Sequence, residues 1–316
     1  IPMTVTFRGV NSRQSALIRG PHGWGEFAPF LEYGAQESAA WLACALEAVW
    51  LPAPEPVRTR IPLNATLPAV PAERVPEVLA KYEGEIQELK IKVAEKGQSL
   101  ADDIARVAAA RDALPNARLK VDANMGYTLA GALDALRKLC EYGIIYAEQP
   151  VASIEDMAAL RFAIAKEGLP ARIAADESIR KAEDPLKVAR ANAADLMVIK
   201  AAPLGGVRRA LALVEQAQLP AVVSSALESS VGIATGASLA ASLRTLRYGC
   251  GLGTVSLMAE DVTDEPLIAR DGFMDLRTIT PSPQRLERLA TDEQTYQWWV
   301  ERVTACYRVL ERACGL

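Results

Sequence analysis

Leu89-Lys90-Ile91-Lys92-Val93 alternates aliphatic and charged side chains, so as a strand it puts three aliphatics on one face and two lysines on the other. Leu119-Lys120-Val121-Asp122-Ala123-Asn124, one strand-plus-helix length further on, repeats the pattern, with Leu119 and Val121 on one side and Lys120, Asp122 and Asn124 on the other. Aliphatics suit a layer beneath covering helices, which turns the ionisable side chains inward. Short apolar runs at 144–148, 172–176 and 195–200 end in Glu148, Asp176 and Lys200. The strand-ending residues Lys92, Asp122, Glu148, Asp176 and Lys200 are 30, 26, 28 and 24 residues apart, about one βα unit each.

Working outward, strand patterns at 61–66 and 221–225 and a weaker one near 248–253 bring the total to eight, with Ala/Leu/Glu/Arg-rich helical stretches between most neighbours. This alternation predicts an α/β fold, a TIM-type (β/α) barrel over residues 61–260. A doubly wound open sheet would usually carry a Gly-rich loop after its first strand, and none is present. Residues 1–60 differ in texture: strand-like pieces at 3–7 and 15–18, an apolar-periodic helix at about 35–50, then the linker Leu51-Pro52-Ala53-Pro54-Glu55-Pro56. The segment 261–316 ends in a helix at about 292–312 whose Trp298-Trp299 pair and apolar stripe predict packing against the N-terminal block.

Composition narrows the chemistry. The 316 residues are 50% hydrophobic and carry a net charge of −4, so there is core material but no electrostatic footprint for nucleic acid. No apolar run approaches the roughly 18 residues of a membrane helix. Five scattered cysteines (Cys44, Cys140, Cys250, Cys306, Cys314) without CxxC spacing predict a reduced, cytoplasmic protein with neither disulfide framework nor cysteine–zinc site. The one histidine, His22, lies in the turn-like Gly20-Pro21-His22-Gly23. A His-rich metal site is excluded, and a general base is expected to be a carboxylate or a lysine.

In a (β/α) barrel the C-terminal strand ends carry the chemistry. A plain lysine–carboxylate salt-bridge cluster is one reading of these five residues. The other is a metal site: Asp122, Glu148 and Asp176 from adjacent strands offer oxygen donors that suit Mg²⁺ better than zinc. Strands 2 and 6 of eight are diametrically opposed, so Lys92 and Lys200 would flank whatever binds between them. A base on each face of a metal-bound carboxylate is an arrangement for removing its α-proton.

Lys90-Ile91-Lys92, Asp122-Ala123-Asn124, Glu148-Gln149-Pro150, Asp176-Glu177-Ser178 and Lys200, in this order and at barrel spacing, resemble the motifs of the enolase superfamily in its muconate-lactonising-enzyme-like subgroup. The resemblance spans essentially the whole chain. It implies an α+β capping domain built from residues 1–60 and 261–316. It also places Gly23-Trp24-Gly25-Glu26-Phe27 in a flexible lid loop over the barrel mouth, an ordinary cap hairpin being the alternative. Ser224-Ser225-Ala226-Leu227-Glu228-Ser229-Ser230-Val231-Gly232 is similar to the strand-7 signature of the o-succinylbenzoate synthases. Serines and backbone N–H groups opening a helix there would hold a carboxylate, although helix N-capping by Ser229 and Ser230 fits equally. The stretch Gly251-Leu252-Gly253-Thr254-Val255-Ser256 lacks the D-x-D pair of the subgroup's dipeptide epimerases.

The resemblance implies a Mg²⁺-dependent hydro-lyase, with Mn²⁺ able to substitute, that dehydrates 2-succinyl-6-hydroxy-2,4-cyclohexadiene-1-carboxylate to 2-succinylbenzoate. Asp122, Glu148 and Asp176 would hold the metal. Lys92 would take the α-proton and return it to the departing hydroxyl, its neutral form favoured by the metal and by Lys90. Lys200 would stay charged on the opposite face. Lys90, Asn124, Ser224, Ser229, Ser230 and Gly253 are the expected substrate contacts. The expected partner is a small-molecule dicarboxylate, neither nucleic acid nor membrane. An N-acylamino acid racemase would use the same lysines and metal site, and a non-catalytic dicarboxylate-binding barrel is the remote alternative.

Overall fold

The computed structural model describes residues 1–7, 10–180 and 184–314. Ahead of residue 50, β1 (Pro2–Phe7) pairs antiparallel with β2 (Val10–Ser12), and β3 (Ala16–Gly20) forms a hairpin with β4 (Gly23–Phe27), followed by helix α1 (Ala35–Trp50). Of the two readings of the glycine-flanked stretch 23–27, lid loop or ordinary cap hairpin, the structure shows the hairpin. The hairpin lies directly on α1: a Cβ at Gly20 would stand 2.7 Å from the Val49 carbonyl oxygen, and one at Gly25 would run into the Ala45 carbonyl. Backbone in such close contact cannot swing over a barrel mouth. Gly20→Ala should therefore cost roughly 1–3 kcal/mol of overpacking. Thermal melting should show a lower midpoint while kcat per folded molecule stays unchanged; an unchanged midpoint would mean that the hairpin yields.

The barrel begins where β5 (Arg60–Pro62) gives way to β6 (Ala65–Leu67). The single strand expected at 61–66 is thus two pieces, since Pro62 has no N–H for a ladder; β5 pairs antiparallel with a later strand, and β6 opens the barrel. A short helix α2 (Val75–Leu79) leads into a regular series: β7 (Glu88–Lys92), α3 (Leu100–Ala113), β8 (Arg118–Asp122), α4 (Leu129–Leu139), β9 (Ile144–Glu148), α5 (Ile154–Glu167) and β10 (Arg172–Ala175). Among the described residues, helices α6 (Glu177–Arg180) and α7 (Lys187–Arg190) precede β11 (Leu196–Ile199). Then come α8 (Ala201–Leu204), α9 (Val207–Ala217), β12 (Ala221–Val223) and α10 (Ser230–Ser242). Local chemistry sets the helix starts. Ser99 and Asp102 form a capping box on α3, and Thr128 and Ser153 cap α4 and α5.

Strands β6 to β12 pair in chain order as one seven-stranded parallel sheet. The expected eighth strand is reduced to bridges, Cys250 to Leu63 on one edge and Gly251 to Ser224 on the other. Asn64 donates to the Cys250 carbonyl at 3.0 Å and Gly251 to the Val223 carbonyl at 2.8 Å, which joins the two edges into a closed barrel. A Cβ at Gly249 would sit 2.8 Å from the Leu63 carbonyl carbon and one at Gly251 2.6 Å from Ser224 Oγ. Only glycines let the seam close.

Alternation along the strands separates two apolar clusters. Leu89, Ile91, Leu119, Val121, Met197 and Ile199 join the outer core under the helices. Tyr146, Ala174, Leu196, Val198, Val222 and Tyr248 fill the barrel interior. The period-2 reading of these strands is the physical basis of that split.

After the barrel the chain returns to the cap. β13 (Phe273–Asp275) pairs with β5, and α11 (Pro283–Leu289) leads to α12 (Glu293–Cys314), which packs against α1. Trp299 meets Phe27 edge-on at 5.7 Å, and its indole N–H donates to Gln14 Oε1 at 3.1 Å. Arg302 donates to the carbonyls of Phe30 (2.6 Å) and Tyr33 (2.8 Å). Among the described residues no helix is long and apolar enough to cross a membrane.

Candidate active site

Sheet register assembles the site. Lys92 is paired with Asp122 across β7 and β8, and Asp122 with Glu148 across β8 and β9, so the three share one row at the strand ends. Asp176 and Lys200 directly follow β10 and β11. With Lys90 they line one small cavity of about 40 Å³, together with Phe30, Thr66, Asn124, Ser224, Ser225, Ala226, Leu227, Gly251 and Thr254. A larger hollow of about 500 Å³ lies outside, lined by His22, Trp24, Glu47 and Arg208 among others, and holds none of the barrel's strand-end lysines or carboxylates. The strand-end lysines and carboxylates thus gather on the small cavity and not on the larger one.

The backbone leaves these strands in unusual conformations. Ala94 (φ 57°), Asn124 (φ 43°) and Gln149 (φ 37°), each within two residues of a strand end, and Leu227 (φ 65°), in the loop after β12, are non-glycine residues in the left-handed region. Such conformations cost about 1–3 kcal/mol each and persist where surrounding bonds impose them. Gln149 shows how: its Oε1 accepts from the N–H groups of Asp176 (3.0 Å) and Ser178 (3.1 Å), and its Nε2 donates to Ser178 Oγ (2.8 Å). One buried amide thereby fastens the Glu148 and Asp176 strand ends together.

Electrostatically the site is a neutralised cluster of buried charges. Lys92 Nζ lies 2.5 Å from Asp122 Oδ2 and 2.6 Å from Asn124 Oδ1. Lys90 bridges Glu148 (3.0 Å) and Asp122 (3.2 Å), and Lys200 grips both oxygens of Asp176 at 2.7 and 2.6 Å. Burial alone would push Asp176 up, but Lys200 and Arg180 outweigh it and hold the carboxyl below its usual range. Glu148 goes the other way. Burial and the neighbouring Asp122 charge push it up to about 7 despite Lys90. Burial pulls Lys90 down, yet Glu148, Asp122 and Asp176 leave it above the ordinary lysine value. Asn124 Nδ2 donates to Glu177 Oε1 at 3.1 Å, which aims the amide oxygen at Lys92.

Among the described residues no three His, Cys, Asp or Glu side chains are gathered into a ready cage for an ion. Lysine ammonium groups stand between the three carboxylates instead. The donor set nevertheless fits a hard divalent cation: Asp122, Glu148 and Asp176 are each 1% exposed, all oxygen donors, and close enough for Asp122 and Asp176 to raise Glu148. A cation there would compete with Lys90, Lys92 and Lys200 for those oxygens, which frees the ammonium groups it displaces.

Not every expected contact faces the cavity. Ser224 does, whereas Ser229 and Ser230 are engaged elsewhere: Ser229 caps α10 and donates to Glu26 Oε2 at 2.6 Å, and Ser230 Oγ donates to Asp261. Glu26 also accepts from the N–H groups of Ser229 (3.1 Å) and Gly232 (2.8 Å), so it ties the cap hairpin to the start of α10. The N-capping alternative describes Ser229. Gly253 stands beside the lining residue Thr254 without lining the cavity itself. The hydroxyls that the sequence reading missed are Thr66, Ser225 and Thr254. Thr66 and Ser225 carried a signal, because they end the strand patterns at 61–66 and 221–225; Thr254, 2.9 Å from Ser225 across the seam, carried none.

Comparison with known proteins places the chain. Residues 72–281 match the family model described as Enolase C-terminal domain-like, and residues 1–49 the one described as Enolase N-terminal domain-like. The o-succinylbenzoate synthase of Mycolicibacterium smegmatis is 53% identical over 311 residues, covering 98% of this chain and 94% of that protein. The o-succinylbenzoate synthase of Mycobacterium tuberculosis is 50% identical over 316 residues, covering 100% and 94%. Among solved structures, the muconate lactonizing enzyme of Pseudomonas fluorescens complexed with muconolactone is similar with a TM-score of 0.65 and 27% identity over 74% of this chain and 65% of that one. A muconate cycloisomerase from Pseudomonas fluorescens superposes with a TM-score of 0.70 at 23% identity, covering 88% and 97%, a likeness of fold.

Proposed function

The chain belongs to the enolase superfamily, and from that premise we infer that it catalyses the o-succinylbenzoate synthase reaction, the dehydration of 2-succinyl-6-hydroxy-2,4-cyclohexadiene-1-carboxylate to 2-succinylbenzoate. Full-length identity of about half to o-succinylbenzoate synthases carries the choice of reaction. The observation that carries the mechanism is the placement of Lys92 and Lys200, on the strands flanking those of Asp122, Glu148 and Asp176, around one shared cavity.

Asp122, Glu148 and Asp176 are the residues that would hold Mg²⁺. When bound, the ion supplies positive charge opposite the substrate carboxylate as electron density develops there. Lys92, released from Asp122, takes the α-proton in its neutral form. The C–H electron pair moves into the carboxylate-conjugated system and then expels the ring hydroxyl, which leaves as water after accepting the same proton from Lys92. One residue on one face thus serves as base and then acid, a syn elimination that ends in an aromatic ring. Lys200 keeps its proton and faces the anionic intermediate from the other side. Asn124 orients Lys92 through its 2.6 Å contact. Ser224, Ser225 and Thr254 offer hydroxyls to the substrate's second carboxylate.

The test is turnover of the cyclohexadiene substrate by purified protein with Mg²⁺ and with a chelator. Metal-dependent formation of 2-succinylbenzoate is expected. If N-acylamino acids racemise and no dehydration occurs, the same lysines serve the other reaction and the inference falls.

A further inference from the structure

Arg106 is a fully buried guanidinium on α3, a face where barrel helices ordinarily set aliphatic side chains against the sheet. Its Nη1 donates to the carbonyl of Lys92 at 2.9 Å and to Asp103 Oδ1 at 2.9 Å. Its Nε donates to the Val70 carbonyl at 2.6 Å, and its Nη2 to Gln98 Oε1. Asp103, 1% exposed, uses its other oxygen to accept from the Ala94 N–H at 2.9 Å and the Tyr127 hydroxyl at 2.7 Å. The pair therefore holds two chain exits at once. One is the Lys92 strand end, where Ala94 turns left-handed at φ 57°. The other is the loop that carries Asn124, three residues before Tyr127, and Asn124 is the residue that meets Lys92 Nζ.

A buried ion pair of this kind gives little or no more stability than well-packed aliphatics, because desolvation offsets its attraction. What it does give is fixed geometry, since the planar fork binds several acceptors in set directions. We propose that Arg106 and Asp103, completed by Tyr127, are positioning residues for Lys92: they set where the base stands relative to the substrate carbon. The proposal rests on Lys92 being the residue that moves the proton.

Arg106→Lys keeps the charge but cannot reach the Lys92, Val70 and Gln98 acceptors together. Tyr127→Phe removes one hydroxyl from a half-buried ring and is the variant that decides if the first does not fold. Thermal melting measures the folded fraction, and kcat, KM and half-saturating Mg²⁺ are then expressed per folded molecule. A displaced base should lower kcat by about 10–10²-fold in Arg106→Lys, in line with the cost of roughly an ångström of misplacement. Loss of one hydrogen bond in Tyr127→Phe should lower it about 5-fold. KM and half-saturating Mg²⁺ should stay within about twofold of wild type in both. Wild-type kcat per folded molecule in Tyr127→Phe overturns the proposal. So does a fall in kcat matched by a rise in half-saturating Mg²⁺, which would assign the network to the carboxylates. If wild type neither dehydrates its substrate nor exchanges the α-proton with deuterium, the parent reading falls and takes this one with it. Wild-type turnover with undiminished variants overturns this one alone.

Discussion

Lys92→Arg should lose dehydration activity by roughly 10²–10⁴-fold, the range for a positioned acid–base group, or by more because the residue serves twice. Arginine keeps the positive charge but its pKa stays above about 12, so it cannot take a proton near neutrality. Space reinforces the chemistry: Lys92 Nζ is already within 2.5 Å of Asp122 and 2.6 Å of Asn124, in a cavity of about 40 Å³. Lys200→Arg should behave differently. Lysine 200 contacts both oxygens of Asp176, and a guanidinium fork suits a carboxylate bidentately, so charge and attachment both survive. Measurable turnover should remain, limited by the fit of the longer side chain. Steady-state assays of both variants decide the point. Equal loss in the two would count against a one-face mechanism, and a dead Lys200→Arg beside a live Lys92→Arg would reverse the two roles. Any N-acylamino acid racemisation should vanish in both, since that reaction needs a base on each face.

The parts of this site that sequence reveals are those governed by strict periodicity. Alternation in 89–93 and 119–124 assigns lysines and carboxylates to the barrel interior, and the roughly 27-residue spacing of strand ends assigns them to one rim. The structure places Lys90, Lys92, Asp122, Glu148, Asp176 and Lys200 around one cavity. What sequence conceals depends on long-range packing. Nothing local in Gly23–Phe27 tells a lid from a strand; the difference is α1, which lies against Gly20 and Gly25. Ser229 and Ser230 read as an anion site until Glu26 and Asp261, from distant segments, claim their hydroxyls. Tyr248–Gly253 reads as a strand, yet the seam needs only the bridges at Cys250 and Gly251. Lys120 alternates inward as expected but lies deeper than the rim, fully buried and paired with Glu88 at 2.6 Å.

Asp122→Asn, Glu148→Gln and Asp176→Asn should each abolish Mg²⁺-dependent dehydration, yet they should differ sharply in the stability of the metal-free protein. Repulsion among three carboxylates, taken alone, would make every one of these substitutions stabilising. The ion pairs change that expectation. Asp176 partners Lys200 at 2.6 Å and Arg180 at 3.3 Å, both buried; removing its charge strands Lys200 and leaves Arg180 only its Glu177 partner at 2.9 Å. Breaking a buried pair in this way costs about 3–5 kcal/mol. Glu148 is the opposite case, because its carboxyl is pushed up to about 7 from an ordinary 4.5. A carboxyl with a raised folded-state pKa stabilises the fold while it keeps its proton, and that contribution is lost as pH rises from about 4.5 through 7. Glutamine resembles the protonated form, so Glu148→Gln should match or exceed wild-type stability at pH 8, and the difference should close as pH falls toward 4.5. Thermal melting with chelator, then with Mg²⁺, reads both effects. Wild type should gain stability on adding Mg²⁺, as any ligand that binds only the folded state confers, and the three variants should not. Full activity or an undiminished Mg²⁺ shift in any two variants would remove these carboxylates from the metal site. A metal-free Asp176→Asn as stable as Glu148→Gln would show that the lysine pairs do not govern the metal-free protein.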